Sequence, residues 1–342
     1  KDSDFTIEEL RFVIDKLTKK RTPGPDKVIA EMIKWLDGDC QEILLGLLNN
    51  CLDKDNLEET LNLASVASIY KNRDAANLAN YRPISLLQTF YKILASLVKE
   101  RIDVGIDEWL TKTQYGFRHD RSTAQAIFLA RRLLDLSEKQ GSDITLILLD
   151  WEKAFDKIDH DKLLEALERA QVPKRLLGLI KAIYTSPKFM VEAGGEASEY
   201  LEQKTGIRQG CPLSPYLFIV VMTVLFKDVR ARLSTPKQKE PIPGIKFAEI
   251  LYADDALLFG TYTRNINILL KEIAIESKYY NMKLNTNKCV NITANQGKSS
   301  IKYASGEPVP RKNKATYLGT ILTDNHNNRT EIINRLTDCR AT

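Results

Sequence analysis

Glu249-Ile250-Leu251-Tyr252-Ala253-Asp254-Asp255-Ala256-Leu257-Leu258-Phe259 places an apolar run on each side of two adjacent carboxylates. Such runs predict two short buried strands joined by a tight turn. The turn is expected to carry Asp254 and Asp255. Burying two unpaired carboxylates is costly, and a divalent cation at the turn removes that cost. On these residues alone, an exposed Asp-Asp turn is the plainer reading. A third carboxylate upstream shifts the balance towards a cation.

That carboxylate is Asp150. Ile144-Thr145-Leu146-Ile147-Leu148-Leu149 is apolar and partly β-branched, so it reads as a buried strand, and Asp150 closes it. Trp151-Glu152-Lys153-Ala154-Phe155-Asp156 follows. One Asp at a strand end and two in a hairpin suit a two-metal phosphoryl-transfer site, in which the cations sit roughly 3.5–4 Å apart and clamp the attacking and leaving oxygens. Magnesium suits carboxylates and substrate phosphates.

With 342 residues and 43% hydrophobic content, the chain can bury a sizeable core in one large domain or in two or three subdomains. The net charge of +5 is unevenly spread. Residues 278–342 hold eleven Lys/Arg against four Asp/Glu, and residues 35–66 hold one Lys against seven Asp/Glu. A basic C-terminal region fits a polyanion partner, or equally a solvated face. Five scattered cysteines, no Cys-x-x-Cys and three His argue against a disulfide framework or zinc centre and for a reducing, intracellular setting. The apolar stretch from Tyr216 to Phe226 is too short to span a bilayer, and no signal peptide is visible. Because the chain starts at Lys1, it reads as a fragment.

In chain order, Thr6-Ile7-Glu8-Glu9 forms a capping box and predicts a helix from about Ile7 to Lys20. Lys19-Lys20-Arg21-Thr22-Pro23-Gly24-Pro25-Asp26-Lys27 is a rigid loop with basic flanks, either a nucleic-acid contact or a solvated helix connection. Residues 28–61 read as helices with Met32, Ile33, Trp35 and Leu36 on one face. Residues 64–70 and 81–87 read as strands of a hairpin. Lys71 and Arg82 at its two ends could hold a triphosphate, or simply be solvated. Helices are predicted over 88–104, 123–139, 160–170 and 174–184, with a hairpin around Gly194-Gly195. Arg208-Gln209-Gly210-Cys211-Pro212-Leu213-Ser214-Pro215 opens an apolar helix, whose entrance favours anions. The Lys237–Pro243 segment reads as a loop, 264–280 as a helix, 288–293 as a strand, Tyr317-Leu318-Gly319-Thr320-Ile321 as a strand pair, and the end from about Arg329 as a helix.

Asp150 with Phe155, Arg208-Gln209-Gly210, Tyr252-Ala253-Asp254-Asp255, Lys288 and Tyr317-Leu318-Gly319 occur in the order and approximate spacing of reverse transcriptase motifs. The chain resembles that family over nearly its whole length. Thr22-Pro23-Gly24-Pro25-Asp26, Tyr81-Arg82-Pro83-Ile84-Ser85-Leu86, Gly116-Phe117-Arg118 with Arg121-Ser122-Thr123, and Gln209-Gly210-Cys211-Pro212-Leu213-Ser214-Pro215 look most like non-LTR (LINE-type) retrotransposons. Group II intron reverse transcriptases are close relatives.

The resemblance implies a mixed α/β (α+β) right-hand polymerase with an antiparallel palm sheet packed on helices. Residues 1–62 would form an N-terminal extension with a template-contacting loop and 63–143 the fingers. The first part of the palm would be 144–172, an insertion 173–206, the main palm 207–323 and the start of a truncated thumb 324–342. Asp150, Asp254 and Asp255 would be catalytic and hold two Mg²⁺, for which Mn²⁺ can substitute, with the Trp151 carbonyl as an added ligand. Lys71, Arg82, Phe155, Gln209 and Lys288 would contact the nucleotide. Phe155 would be the steric gate against a 2′-hydroxyl, and Lys288 a proton donor or phosphate contact. Pro23, Gly24, Arg118, Arg121, Arg208 and Gly210 would lie along nucleic acid, and Tyr317, Leu318 and Gly319 would form the primer grip.

Partners would be an RNA template, a DNA or RNA primer and dNTPs, with no membrane, in an intracellular ribonucleoprotein setting. No endonuclease, RNase H or zinc knuckle is visible, so these residues alone are not expected to supply processivity or target-site priming. The alternatives are a binding module that has lost catalysis, a group II intron-type enzyme, and an RNA-dependent RNA polymerase. Three retained Asp argue against the first, and Phe155 argues against the last.

Overall fold

The computed structural model describes residues 2–54, 57–71, 74–233, 241–242, 244–294, 300–325 and 329–341. The elements in chain order are α1 (Ile7–Lys16), α2 (Ala30–Lys34), α3 (Gly38–Leu52), β1 (Leu63–Tyr70), β2 (Tyr81–Leu87), α4 (Thr89–Ile106), α5 (Thr123–Gln140) and β3 (Thr145–Leu149). Then come α6 (Ala154–Lys157), α7 (His160–Arg169), α8 (Lys174–Tyr184), β4 (Lys188–Ala193), β5 (Glu196–Ala197), β6 (Leu201–Glu202) and α9 (Ser214–Leu233). The chain finishes with β7 (Glu249–Tyr252), β8 (Asp255–Gly260), α10 (Thr263–Tyr279), β9 (Val290–Thr293), β10 (Lys314–Tyr317), β11 (Thr320–Thr323) and α11 (Arg329–Ala341). Of the expected loop over Lys237–Pro243, all but Pro241 and Ile242 lies outside the described residues.

Two compact units emerge, each discontinuous in sequence: Lys1–Trp109 with Phe155–Val221, and Leu110–Ala154 with Met222–Thr342. The first unit holds a sheet of order β2-β1-β4-β5, with β6 also on β4. β1 and β2 form the expected antiparallel hairpin, and β4 joins β1 in parallel. The Thr6–Glu9 capping box is present at the start of α1.

Two expectations for this unit do not hold in full. α1 stops at Lys16 rather than near Lys20, because Leu17 is extended and closes the helix by donating to the Ile14 carbonyl at 3.1 Å. The helical reading of 28–61 holds only in part: α2 is a single short turn with no buried residue, and Trp35 at its C-cap is 79% exposed.

The second unit is built on the antiparallel sheet β7-β8-β3-β9. β3 is central and, after Thr145, wholly apolar, as befits a strand covered on both faces. One face packs on α5 through Ala126, Ala130, Leu133 and Leu134, joined by Leu146, Leu257 and Phe259. α5 begins with a second capping box, Ser122 with Gln125, and ends on left-handed Gly141. The hairpin of β10 and β11 turns at Leu318-Gly319, both with positive φ. α11 is tied to it by Glu331, which accepts from the Ile321 N–H at 2.8 Å, and by Arg335, which donates to the Gly319 carbonyl at 3.2 Å.

Candidate active site

Asp150 stands where β3 ends. The β3–β8 register pairs Leu149 with Ala256, so the next step sets Asp150 against Asp255. On the other side of β8, Asp255 pairs with Tyr252 of β7, which leaves Ala253 and Asp254 as the two-residue turn. The turn therefore carries Asp254 alone, and Asp255 begins the strand. This corrects the expectation that both lie in the turn. Crowding by the surrounding protein, followed by the charges of Asp254 and then Asp150, pushes the Asp255 carboxyl up to about 6. Its tip is exposed, so the position is crowded rather than sealed.

The turn is braced from behind by residues whose role the sequence did not announce. Ala253 reverses the chain with φ +55°, a left-handed conformation costly for a residue with a Cβ. Fully buried Gln114 holds it there, its Oε1 accepting from the Ala253 N–H at 3.1 Å and the Gly116 N–H at 2.9 Å. The flanking backbone runs along β7: the Leu251 N–H donates to Thr113 and the Tyr115 N–H to Leu251. Gly116 is required by space, since a Cβ there would lie 2.4 Å from the Ala253 nitrogen. Arg118 and Arg121, expected along nucleic acid, serve this loop. Arg118 donates to the Thr111 carbonyl at 2.9 Å, and Arg121 stacks over Tyr115.

The backbone of Asp150 is fixed by the segment before β9. Its carbonyl accepts from the Asn285 N–H at 2.8 Å, and its N–H meets the buried Cys289 thiol at 3.4 Å. Trp151 bridges to Leu284, and its ring is buried. Lys288 reaches forward, its Nζ 3.6 Å from Asp150 Oδ1. That oxygen is buried and, among the described residues, has no hydrogen-bond partner besides this ion pair.

A cleft of about 370 Å³ opens here, lined by Asp150, Asp255, Lys288, Lys312, Lys314 and Tyr317 among others. Tyr317 is buried, its hydroxyl without a hydrogen-bond partner among the described residues, and burial followed by the Asp255 charge raises its phenol. Among the described residues no three His, Cys, Asp or Glu side chains close around an ion by themselves. Magnesium is commonly held by one or two carboxylates, with water and substrate phosphates completing the shell. Asp150 and Asp255, two carboxylates lining one cleft beside Lys288, fit that kind of site.

The first unit gathers a second group of residues. Arg82 pairs with Ile69, and the Lys71 N–H donates to the Asn80 carbonyl, so Lys71 and Arg82 share one face of the β1–β2 hairpin. The Arg208-Gln209-Gly210 loop packs on β2. The Ser85 N–H donates to the Gln209 carbonyl at 2.7 Å, and a Cβ on Gly210 would lie 2.7 Å from the Ser85 oxygen. The Gln209 amide donates to Asp156 Oδ1 at 2.8 Å, beside Phe155.

Arg208 does not fit its expected place at the template. It is 2% exposed, stacks on Tyr91 and donates to the Asn62 carbonyl, so it holds the loop rather than a ligand. Gly24 is likewise buried: a Cβ there would lie 2.5 Å from the Gln88 nitrogen, so its glycine is explained by close packing. Pro23 beside it is half-buried.

Asp150 and Asp255 thus stand together at the ends of the two central strands of a four-stranded antiparallel sheet. Residues 69–322 match the family described as Reverse transcriptase (RNA-dependent DNA polymerase), and this chain belongs to that family. The Transposon TX1 uncharacterized 149 kDa protein of Xenopus laevis is 28% identical, covering 75% of this chain and 20% of its own length. The RNA-directed DNA polymerase from mobile element jockey of Drosophila funebris is 27% identical, covering 93% of this chain and 35% of its own length. The chain thus spans about a third or less of these relatives. Among solved structures, the apo telomerase of Candida tropicalis truncated from its C-terminal domain shares the fold, with TM-score 0.56, 13% identity and coverage of 78% and 54% of the two chains. No helix among the described residues is long and apolar enough to cross a membrane.

Proposed function

We propose that this chain is the catalytic part of a non-LTR retrotransposon enzyme that copies RNA into DNA. One observation carries the reading: the register of β3 and β8 sets Asp150 against Asp255 beside a cleft lined by three lysines. The retrotransposon names of the relatives support the setting. A similar Candida tropicalis telomerase, with TM-score 0.53 and 13% identity, was solved in complex with a fragment of telomeric RNA, which supports an RNA template. The second unit would be the palm and the first would carry the fingers. The setting would be an intracellular ribonucleoprotein, and the partners a template, a primer and dNTPs.

The carboxylates of Asp150, Asp254 and Asp255 would hold Mg²⁺. Bound divalent ions supply a lowered pKa for the primer 3′-hydroxyl and neutralise charge on the leaving pyrophosphate. The chain's own groups do the rest by positioning and charge. Lys288 Nζ would hold a phosphate oxygen or give it a proton. Lys71 and Arg82 would grip the triphosphate from one face of their hairpin. Phe155 would lie against the sugar and collide with a 2′-hydroxyl, and Gln209, held by Asp156, would border the nucleotide. Tyr317, Leu318 and Gly319 would support the primer end.

The test is primer extension on an RNA template with dNTPs or rNTPs, in Mg²⁺ or Mn²⁺, beside the Asp254→Asn/Asp255→Asn double variant. Extension with dNTPs that the double variant loses is the expected result. Template-bound protein that never extends in either ion would sink the reading.

A further inference from the structure

Phe155 lies in a segment whose backbone is held on one side throughout. Its carbonyl accepts from the Ile207 N–H at 2.7 Å, and the Asp156 carbonyl accepts from the Thr205 hydroxyl at 3.1 Å. Gly206, with φ +84°, packs so tightly there that a Cβ would lie 2.6 Å from the Asp156 carbonyl carbon. The freedom left to Phe155 is rotation of its ring.

One residue restricts that rotation. Phe218, on the first turns of α9, is fully buried and stacks on the Phe155 ring with centroids 4.4 Å apart and planes 10° from parallel. Phe155 itself is only partly buried. It is therefore a ring with one face against an immobile neighbour and part of its surface open.

A steric filter discriminates only as far as it cannot step aside. An aromatic ring that can rotate away admits the larger ligand at only the modest cost of a rotamer change. A stacked aromatic partner adds a preference of similar size for the original position. We infer that Phe218 is a specificity-determining residue: by stacking on Phe155 it keeps that ring against the sugar and sets how strongly ribonucleotides are rejected. The inference rests on the reading of Phe155 as the sugar gate.

The test compares the dNTP-to-rNTP ratio of kcat/KM for single-nucleotide extension by the full-length wild type, Phe218→Leu, Phe155→Ala and the double variant. Leucine keeps most of the volume in α9 but removes the flat stacking face. Phe218→Leu should lower the ratio by about three- to tenfold, the worth of one aromatic pair. In the Phe155→Ala background it should change nothing further. A merely structural lesion would lower both nucleotides together and leave the ratio alone.

A wild-type ratio in Phe218→Leu, with the ratio collapsed in Phe155→Ala, overturns the inference and leaves the gate standing. An unchanged ratio in Phe155→Ala removes the gate, and the inference falls with it. Should Phe218→Leu fail to fold, Phe218→Met is read by the same ratio.

Discussion

One register step beyond Leu149 and Ala256, Asp150 meets Asp255 across β3 and β8. Two like charges directly opposite each other destabilise a sheet. The strands accept this because the pairs behind them are apolar and buried, including Ile147 with Leu258 and Leu146 with Phe259. The repulsion at the strand ends is what makes the place suited to cations.

The same repulsion sets a pH dependence. The Asp255 carboxyl is raised from 3.8 to about 6 in the folded chain. Its contribution to stability is fully present below the unfolded value and is lost as pH rises through the folded one. Without divalent ions near neutral pH, Asp255→Asn should therefore be more stable than wild type, by about 0.2–1 kcal/mol. The difference should shrink as the pH approaches about 4, where both forms are neutral. Thermal melts at the two pH values check this, and a variant no more stable than wild type near neutrality would contradict it.

A ligand that binds only the folded chain raises its stability, by about 2.7 kcal/mol at a hundred times its Kd. Mn²⁺ should accordingly raise the melting temperature of the wild type and leave the Asp150→Asn/Asp255→Asn variant nearly unmoved. Calorimetry showing equal shifts for both would place the ion elsewhere.

Gln114 accepts from two backbone N–H groups through one buried oxygen. Gln114→Ala would orphan both donors, each at a cost of about 1–3 kcal/mol, and would release the left-handed Ala253 turn. Extension should fall by up to about a hundredfold, the effect of displacing a reacting group by an ångström, while primer-template affinity stays close to wild type. Wild-type extension and stability would show that Gln114 does not brace the turn.

Lys288, Lys312 and Lys314 line one cleft with the carboxylates. Each lysine that meets a phosphate adds close to one unit to the salt dependence of binding. Replacing all three with Gln should flatten the slope of log K against log salt by about three units. An unchanged slope in filter binding would remove this cleft from the nucleic-acid path.

Much of this was readable from sequence where the signal is local. The Thr6–Glu9 box, the apolar run closed by Asp150, and the Asp-Asp hairpin need only neighbouring residues to be recognised. Long-range consequences were not readable in the same way. The parallel partnership of β1 with β4 joins segments over a hundred residues apart. Gln114 is an ordinary polar residue until the chain folds its amide under Ala253. Arg208 shows the opposite failure: a basic residue in an anion-favouring motif reads as a ligand contact, yet its side chain is buried, with one guanidinium nitrogen on the Asn62 carbonyl and the plane over Tyr91. Residues 28–61 read as helices with Met32, Ile33, Trp35 and Leu36 on one face, but α2 is a single short turn and Trp35 at its C-cap stands exposed.

The most direct measurement of the central claim is single-turnover incorporation of one dNTP opposite an RNA template by wild type and Asp150→Asn, with primer-template affinity measured in parallel. Near-equal affinity is expected, with a rate lower by at least about 10²–10³-fold, as for loss of a key charge-stabilising group. Incorporation by Asp150→Asn at the wild-type rate would contradict the claim.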